Sequence, residues 1–351
     1  MIRRWVRWVP AVIAPAVIAG ALVSPTLAGA AVDLPEKTPE QVLALVAQSS
    51  VHQLSGTLEQ TSELGLPELP TRGPGSNADV TAALDLLTGT HTARVFLDGP
   101  SNARVQVMDA LAERDVVRNG ADVWLYSSTE NSAVHVTLPR KPGTESAPST
   151  VPTPRELADR LLAGLDASTV VKVGADTEVA SRTAYRLILE PRVSTTLVGS
   201  VSIAVDSETG LPLSVSVAAR GQSEPAFELA FTSLSLDRPS ADLFTFTPPP
   251  GATVKELSPS EHGTSNAPQI PDSQSSQPSV IGTGWDAVVE VPASAIPAEL
   301  LSSPLLAQAT RSFAGGRLLT TALVNVLLTN DGRVFAGSVP PDRLQAAAEG
   351  R

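Results

Sequence analysis

Apolar residues return at every second position from Val201 onward. Val201, Ile203 and Val205 face one way and Ser200, Ser202 and Ala204 the other, the period of a strand with one buried face. Leu211, Leu213, Val215 and Val217 repeat the pattern against Pro212, Ser214, Ser216 and Ala218, after a Ser207-Glu208-Thr209-Gly210 turn whose glycine supplies a positive φ. Phe227, Leu229 and Phe231 carry a third strand. After Phe231 the phase slips across Thr232-Ser233 to Leu234 and Leu236, which predicts a β-bulge and a sharply curved sheet. Three such strands form an antiparallel meander with one wet face and one apolar face.

The same reading extends along the chain. Thr38 and Gln41 form a capping box and predict a helix over residues 39–49, with Val42, Leu43, Leu45 and Val46 as its buried stripe. A sheet starts at residues 51–60, and the Pro- and Gly-rich stretch 66–77 is irregular. Short strands follow at 91–98, 103–108, 113–117, 123–126 and 133–138, divided by Gly-Pro, Asn-Gly and Thr-Glu-Asn turns. Residues 139–153 read as a polar loop, and Thr153 with Glu156 opens a second capped helix bearing Leu157, Leu161, Leu162 and Leu165. Strands at 170–173 and 178–190 lead into the meander. Pro248-Pro249-Pro250 ends the sheet, because consecutive prolines have no N–H to give a ladder.

Residues 256–280 are rich in Ser, Pro, Gln and Asn with little to bury, the composition of a flexible linker. Residues 281–351 form a small module: a strand at 285–291, a helix over 298–308, and a hairpin of 318–328 with 334–338 joined by Asn330-Asp331-Gly332. A core of that size is marginal alone, so docking against the main sheet is expected. At the other end Arg3, Arg4 and Arg7 precede an apolar run, 9–27, that closes on Ala28-Gly29-Ala30. That is the pattern of a signal peptide over 1–30, cleaved after Ala30; an uncleaved anchor is the alternative, disfavoured by Pro15 and Pro25. The domain plan is therefore 1–30, 31–255, 256–280 and 281–351, and the protein is expected outside the cytoplasm, in the cell envelope or secreted.

Charge and chemistry narrow the function. The formal charge is −11, and −14 without the leader arginines, a surface that repels nucleic acid and anionic headgroups. With no cysteine there is no disulfide scaffold, thiolate metal site, cysteine nucleophile or lipidated cysteine. His52, His91, His135 and His262 fall in no metal-ligand spacing, and His52 and His135 read as satisfied strand residues. No nucleophile elbow, P-loop or dinucleotide glycine triplet occurs. The pairs Glu59 with Glu63 and Glu113 with Asp115 read as solvated faces of an acidic protein. Aromatics, at 4%, are too sparse for base-stacking platforms. The residues hold no catalytic constellation, so a binding protein without a cofactor is the reading and a hydrolase is disfavoured.

A set of short motifs, in order, resembles LolA and its relatives: the helix over 39–49, Leu54-Ser55-Gly56-Thr57 to Gln60, Asn119-Gly120 followed by Val123-Trp124-Leu125-Tyr126, and Tyr185-Arg186-Leu187-Ile188-Leu189-Glu190-Pro191. Val205-Asp206 to Thr209-Gly210-Leu211-Pro212 and Phe244-x-Phe246-x-Pro-Pro-Pro-Gly251 complete it, over residues 38–254, leaving 282–351 outside. The resemblance implies an α+β fold, a half-open, strongly curved antiparallel β-barrel lidded by α-helices, here with a small C-terminal α/β extension. It also implies a hydrophobic cavity that holds acyl chains of lipids or lipoproteins, with the protein acting as a carrier or chaperone. RseB-like relatives share the fold and bind an anti-sigma factor, so a regulatory module with a membrane-protein partner is the alternative. Candidate lining residues are Phe96, Trp124, Tyr126, Phe227, Leu229 and Phe231. Alternation leaves open which of Val123, Trp124 and Leu125 faces inward, since both sides of that strand are apolar. An apolar sheet face larger than two helices can fill leaves a pocket of about 300–1,000 Å³, although a filled core would carry the same alternation.

Overall fold

A computed structural model describes residues 33–66, 88–109, 112–138, 153–257, 278–295, 304–313 and 315–350. The expected leader, the 139–152 loop, most of the 66–77 stretch and the body of the linker lie outside them. The first part of the chain supplies α1 (Pro39–Ala47), β1 (Gln53–Ser62), β2 (Gly89–Asp98), β3 (Asn102–Asp109), β4 (Ala112–Asn119), β5 (Asp122–Ser127) and β6 (Ser132–Thr137). Then come α2 (Pro154–Ala163), β7 (Thr169–Val173), β8 (Thr177–Val179), β9 (Arg182–Pro191), β10 (Val198–Asp206), β11 (Pro212–Ala219), β12 (Pro225–Ser235) and β13 (Thr253–Leu257).

These thirteen strands form one curved, open sheet in the order β13-β6-β5-β4-β3-β2-β1-β12-β11-β10-β9-β7, with β8 on β9. Every pairing is antiparallel except β13 with β6. The meander strand β12 returns to pair with β1 and so joins the two runs of hairpins. Leu58 pairs with Phe231 but Thr57 with Ser233, so Thr232 is the extra residue of a bulge where the apolar phase slips.

Register carries one inner face across the sheet. Val123, Arg118, Ala103, Leu97 and Leu54 stand in a row, and Leu125, Val116, Val105, Val95 and Gly56 in the next. Both helices have the expected capping boxes, at Thr38 with Gln41 and at Thr153 with Glu156. Val42 and Val46 of α1, with Ala158 of α2 and the leucines around it, pack on Tyr185, Leu187, Leu189, Val201, Ile203 and Val215. The helices thus fill the inner face over β7 to β12.

The outer face departs from expectation. The sheet does not end at Pro248-Pro249-Pro250: those prolines lie in a crossover with no ladder to feed, and β13 follows, parallel to β6. Glu256, expected in the linker, is a β13 residue whose Oε2 lies 2.7 Å from His135 Nδ1. The crossover covers β3 to β6 from outside, with Phe244 buried and the Leu243 carbonyl accepting from Arg104 Nη1 at 3.2 Å. The single strand expected over 178–190 is a hairpin, turned at Ala180 and Ser181 with φ of 51° and 60°. Neither residue type announces a left-handed turn.

A second sheet is built from β14 (Ser279–Ile281), β15 (Val288–Val291), β16 (Arg311–Phe313), β17 (Gly316–Thr320), β18 (Asn325–Thr329) and β19 (Val334–Gly337), in the order β14-β15-β19-β18-β17-β16. Its helices are α3 (Pro304–Ala309), part of which falls in the expected 298–308 helix, and α4 (Pro341–Ala348). The expected 318–328 strand breaks in two, because Thr321 Oγ1 accepts from Leu323 and Val324 N–H and turns the chain. Trp285 sits in a 3-10 turn, not a strand. Helix α4, unread in the sequence, starts on Pro341 and buries Leu344 and Ala347 against Phe335, Leu327 and Leu318. This sheet docks on the first: Trp285 and Leu323 join the core around Leu187, and Leu197 N–H donates to the Ser338 carbonyl at 2.8 Å.

Candidate functional site

The inner face over β1 to β5 is where side-chain volume runs out. Its two central register rows are Val, Ala and Leu apart from Arg118 and Gly56, where the other half carries helices, and between this wall and the start of α2 lies a cavity of about 370 Å³. Leu54, Leu97, Ala103, Val105, Val116 and Val123 form the wall, and Leu211 and Phe231 close one side. The Phe231 ring lies over Gly56, where a Cβ would stand 2.9 Å from ring carbons and 2.6 Å from the Ser233 carbonyl oxygen. The missing side chain lets an aromatic wall seat against β1.

One end of the cavity is polar. His52, Gly99, Pro100 and Arg118 come from the strand ends, and Thr153, Arg155, Glu156 and Asp159 from the first turns of α2. Arg155 Nη1 donates to the Val51 carbonyl at 2.9 Å, tying α2 to the start of β1, and its Nε lies 3.8 Å from Asp159. Glu156 Oε2 accepts the Thr153 N–H at 2.8 Å in the capping box. Arg118 Nε donates to the Gly120 carbonyl at 3.1 Å, and no described residue accepts from its terminal nitrogens.

Of the six lining candidates, Phe231 is on the cavity wall. Leu229 and Phe227 share its face but are packed into the neighbouring cores, Leu229 fully buried. Phe96, Trp124 and Tyr126 lie on the outer face, Phe96 opposite Arg104 in the ladder. Trp124 stacks on His135 with ring centroids 4.2 Å apart and meets Phe246 of the crossover at 5.4 Å, while Tyr126 meets Phe246 at 5.7 Å. Within the Val123–Leu125 triplet it is Val123 that lines the cavity.

Two polar readings change as well. Asp115, read as part of a solvated carboxylate pair, is 2% exposed on the outer face and accepts from Arg104 Nη2 at 2.6 Å and Nε at 3.1 Å. Burial pushes its carboxyl above the usual range, with the Arg104 guanidinium pulling the other way. His135 faces Glu256 and, at 3.2 Å, Asp122, whereas His52 stands exposed at the polar end of the cavity. Among the described residues no group of three or more His, Asp or Glu is placed to hold a metal ion. Arg118 went unread. The available signal was an arginine in a register row that is otherwise Val, Ala and Leu.

No protein-family model and no curated protein matches this sequence. Among solved structures the chain is similar to MucB in the Pseudomonas aeruginosa MucA/MucB complex, at 15% identity and TM-score 0.45, over 88% of this chain and 96% of that one. It is also similar to an uncharacterized conserved protein from Thermus thermophilus, at 13% identity and TM-score 0.35, over 62% and 98%. A LolA superfamily protein from Nitrosomonas europaea matches at 10% identity and TM-score 0.24, over 60% and 99%. All are distant likenesses, and none carries a ligand or partner over to this chain.

Proposed function

We propose that this is an exported binding protein that holds an acyl chain of a lipid or lipoprotein in the cavity between α2 and β1 to β5, as a carrier or chaperone in the cell envelope. The observation that carries the reading is the cavity itself: about 370 Å³ walled by aliphatic side chains, inside a fold whose remaining inner face is packed by helices. That volume is within the range of pockets that bury small apolar ligands. The motif order over residues 38–254 supports the same reading. Each buried CH₂ contributes about 0.8 kcal/mol, so a chain of about 14 carbons contributes roughly 11 kcal/mol before association costs of about 4–15 kcal/mol. Reversible binding is the natural outcome, as a carrier requires.

Val116 tests this directly, because its side chain faces the cavity from β4. Native mass spectrometry of gently purified protein and titration with a fluorescent fatty-acyl probe are expected to show a bound amphiphile and micromolar affinity. In Val116→Trp the indole enters open space, so stability should change by less than about 1 kcal/mol while probe affinity falls about tenfold or more. A wild-type protein that carries no lipid and binds no probe would sink the reading.

A further inference from the structure

Arg118 is out of place in an aliphatic wall. Its neighbours across the ladder are Ala103 and Val123, both on the cavity, and the next residue of that row is Leu97. A guanidinium carries five N–H donors. One of them, on Nε, is used on the Gly120 carbonyl, and no described residue takes the four on the terminal nitrogens. Those donors form a planar fork that fits a carboxylate or phosphate bidentately. The other charges at this end are already engaged. Arg155 is held by the Val51 carbonyl and by Asp159, and Glu156 is held in its capping box.

We infer that Arg118 is an anion-binding residue at the polar end of the cavity, and that the ligand is an amphiphile with an anionic head, a carboxylate or a phosphate, whose chain lies along Val105, Val116 and Phe231. This rests on the acyl-binding reading above and adds the head to the chain. The net charge, −14 once the three leader arginines are removed, acts on the approach to anionic surfaces and not at this contact. Charges more than about 8–10 Å away are largely screened at physiological salt, whereas a bidentate contact acts at hydrogen-bond distance. Arg118 thereby selects within the class of apolar ligands, since an alcohol or ester of the same chain length would leave the fork without a charged partner.

The test uses the full-length protein and two matched fluorescent probes, cis-parinaric acid and its methyl ester, titrated into wild type, Arg118→Gln and Arg118→Lys. The acid is expected to bind wild type about tenfold more tightly than the ester, as a charge-assisted pair does over a neutral contact. Arg118→Gln should abolish that gap by lowering acid affinity to the level of the ester, with a far-UV circular dichroism spectrum matching wild type to show that the variant is folded. Arg118→Lys should restore part of the gap, with charge but no fork. Inorganic phosphate competing at millimolar concentration against the acid, but not against the ester, would assign the site to free anions as well as lipid heads. Equal wild-type affinity for acid and ester would overturn the assignment and leave the cavity reading standing. An equal loss of both probes in Arg118→Gln would make Arg118 a structural residue and overturn it too. No binding of either probe would overturn both.

Discussion

Asp206, at the turn between β10 and β11, is 1% exposed and accepts hydrogen bonds from Arg182 through Nε and Nη2. It accepts further from the N–H of Glu208 and from the N–H and hydroxyl of Thr209. Burial pushes its carboxyl upward, but the Arg182 and Thr209 donors outweigh burial and hold it below the usual carboxylate range. A folded value below the unfolded value of about 3.9 means that the stabilisation is present above about pH 4 and is lost as pH falls through the folded value. Asp206→Asn keeps the shape and removes the charge facing Arg182, so it should cost about 2–3 kcal/mol near neutral pH. Denaturant unfolding of both proteins between about pH 7 and pH 3 should show that cost shrinking below about pH 4; a cost constant with pH would refute the assignment. Gly210, four residues on, has φ 72° and no room for a side chain, because a Cβ would stand 2.1 Å from the Leu45 carbonyl oxygen. The turn glycine could be read from the sequence. The burial of Asp206 could not, since an acid at a turn looks the same whether solvated or caged.

At the scale of elements, α2 does two things at once: its leucines fill the core over β9 to β11 and its first turns close the polar end of the cavity. Thr153→Ala removes the hydroxyl that accepts the Glu156 N–H at 3.2 Å, and should cost about 1 kcal/mol of stability. It should also weaken acyl-probe binding. Thr38→Ala removes the matching cap of α1, which does not touch the cavity, and should cost a similar amount, about 1 kcal/mol, with probe affinity unchanged. Equal probe affinity in the two variants would detach α2 from ligand binding. Both caps were legible because a capping box is a local pattern, and so were the strand phases and the Thr232 bulge. Most of what escaped depended on partners distant in sequence. The aromatic residues of β5 read equally well facing in or out until the 241–251 crossover, with Phe244 and Phe246, is placed on the outer face. The parallel addition of β13 likewise follows from a distant strand, whereas the split of 318–328 comes from the local Thr321 turn, which alternation does not show.

For the whole molecule, the second sheet is anchored on the core that α1 and α2 fill, away from the β1 to β5 wall. Trp285 Nε1 donates to Thr169 Oγ1 at 2.9 Å, Ala322 N–H to the Leu64 carbonyl at 2.8 Å, and Thr196 Oγ1 to the Ser338 carbonyl at 2.8 Å. A small sheet with its own core of Val288, Leu318, Leu327 and Phe335 would be marginal by itself, and these contacts couple its unfolding to that of the first sheet. The chain has four tryptophans, and Trp5 and Trp8 belong to the expected leader. A processed Trp124→Phe protein would therefore report the junction through Trp285 alone. Its fluorescence and far-UV circular dichroism should change at one denaturant midpoint, as a single cooperative transition requires. Trp285→Ala leaves a cavity in the shared core and loses the Thr169 contact, so it should cost about 3 kcal/mol. Because no described residue of the second sheet lines the cavity, acyl-probe affinity should survive that change. Two separated midpoints in the Trp124→Phe protein would show instead that the sheets fold independently. A loss of probe affinity in Trp285→Ala would show that the docked sheet helps to hold the wall around Val105 and Val116 in place.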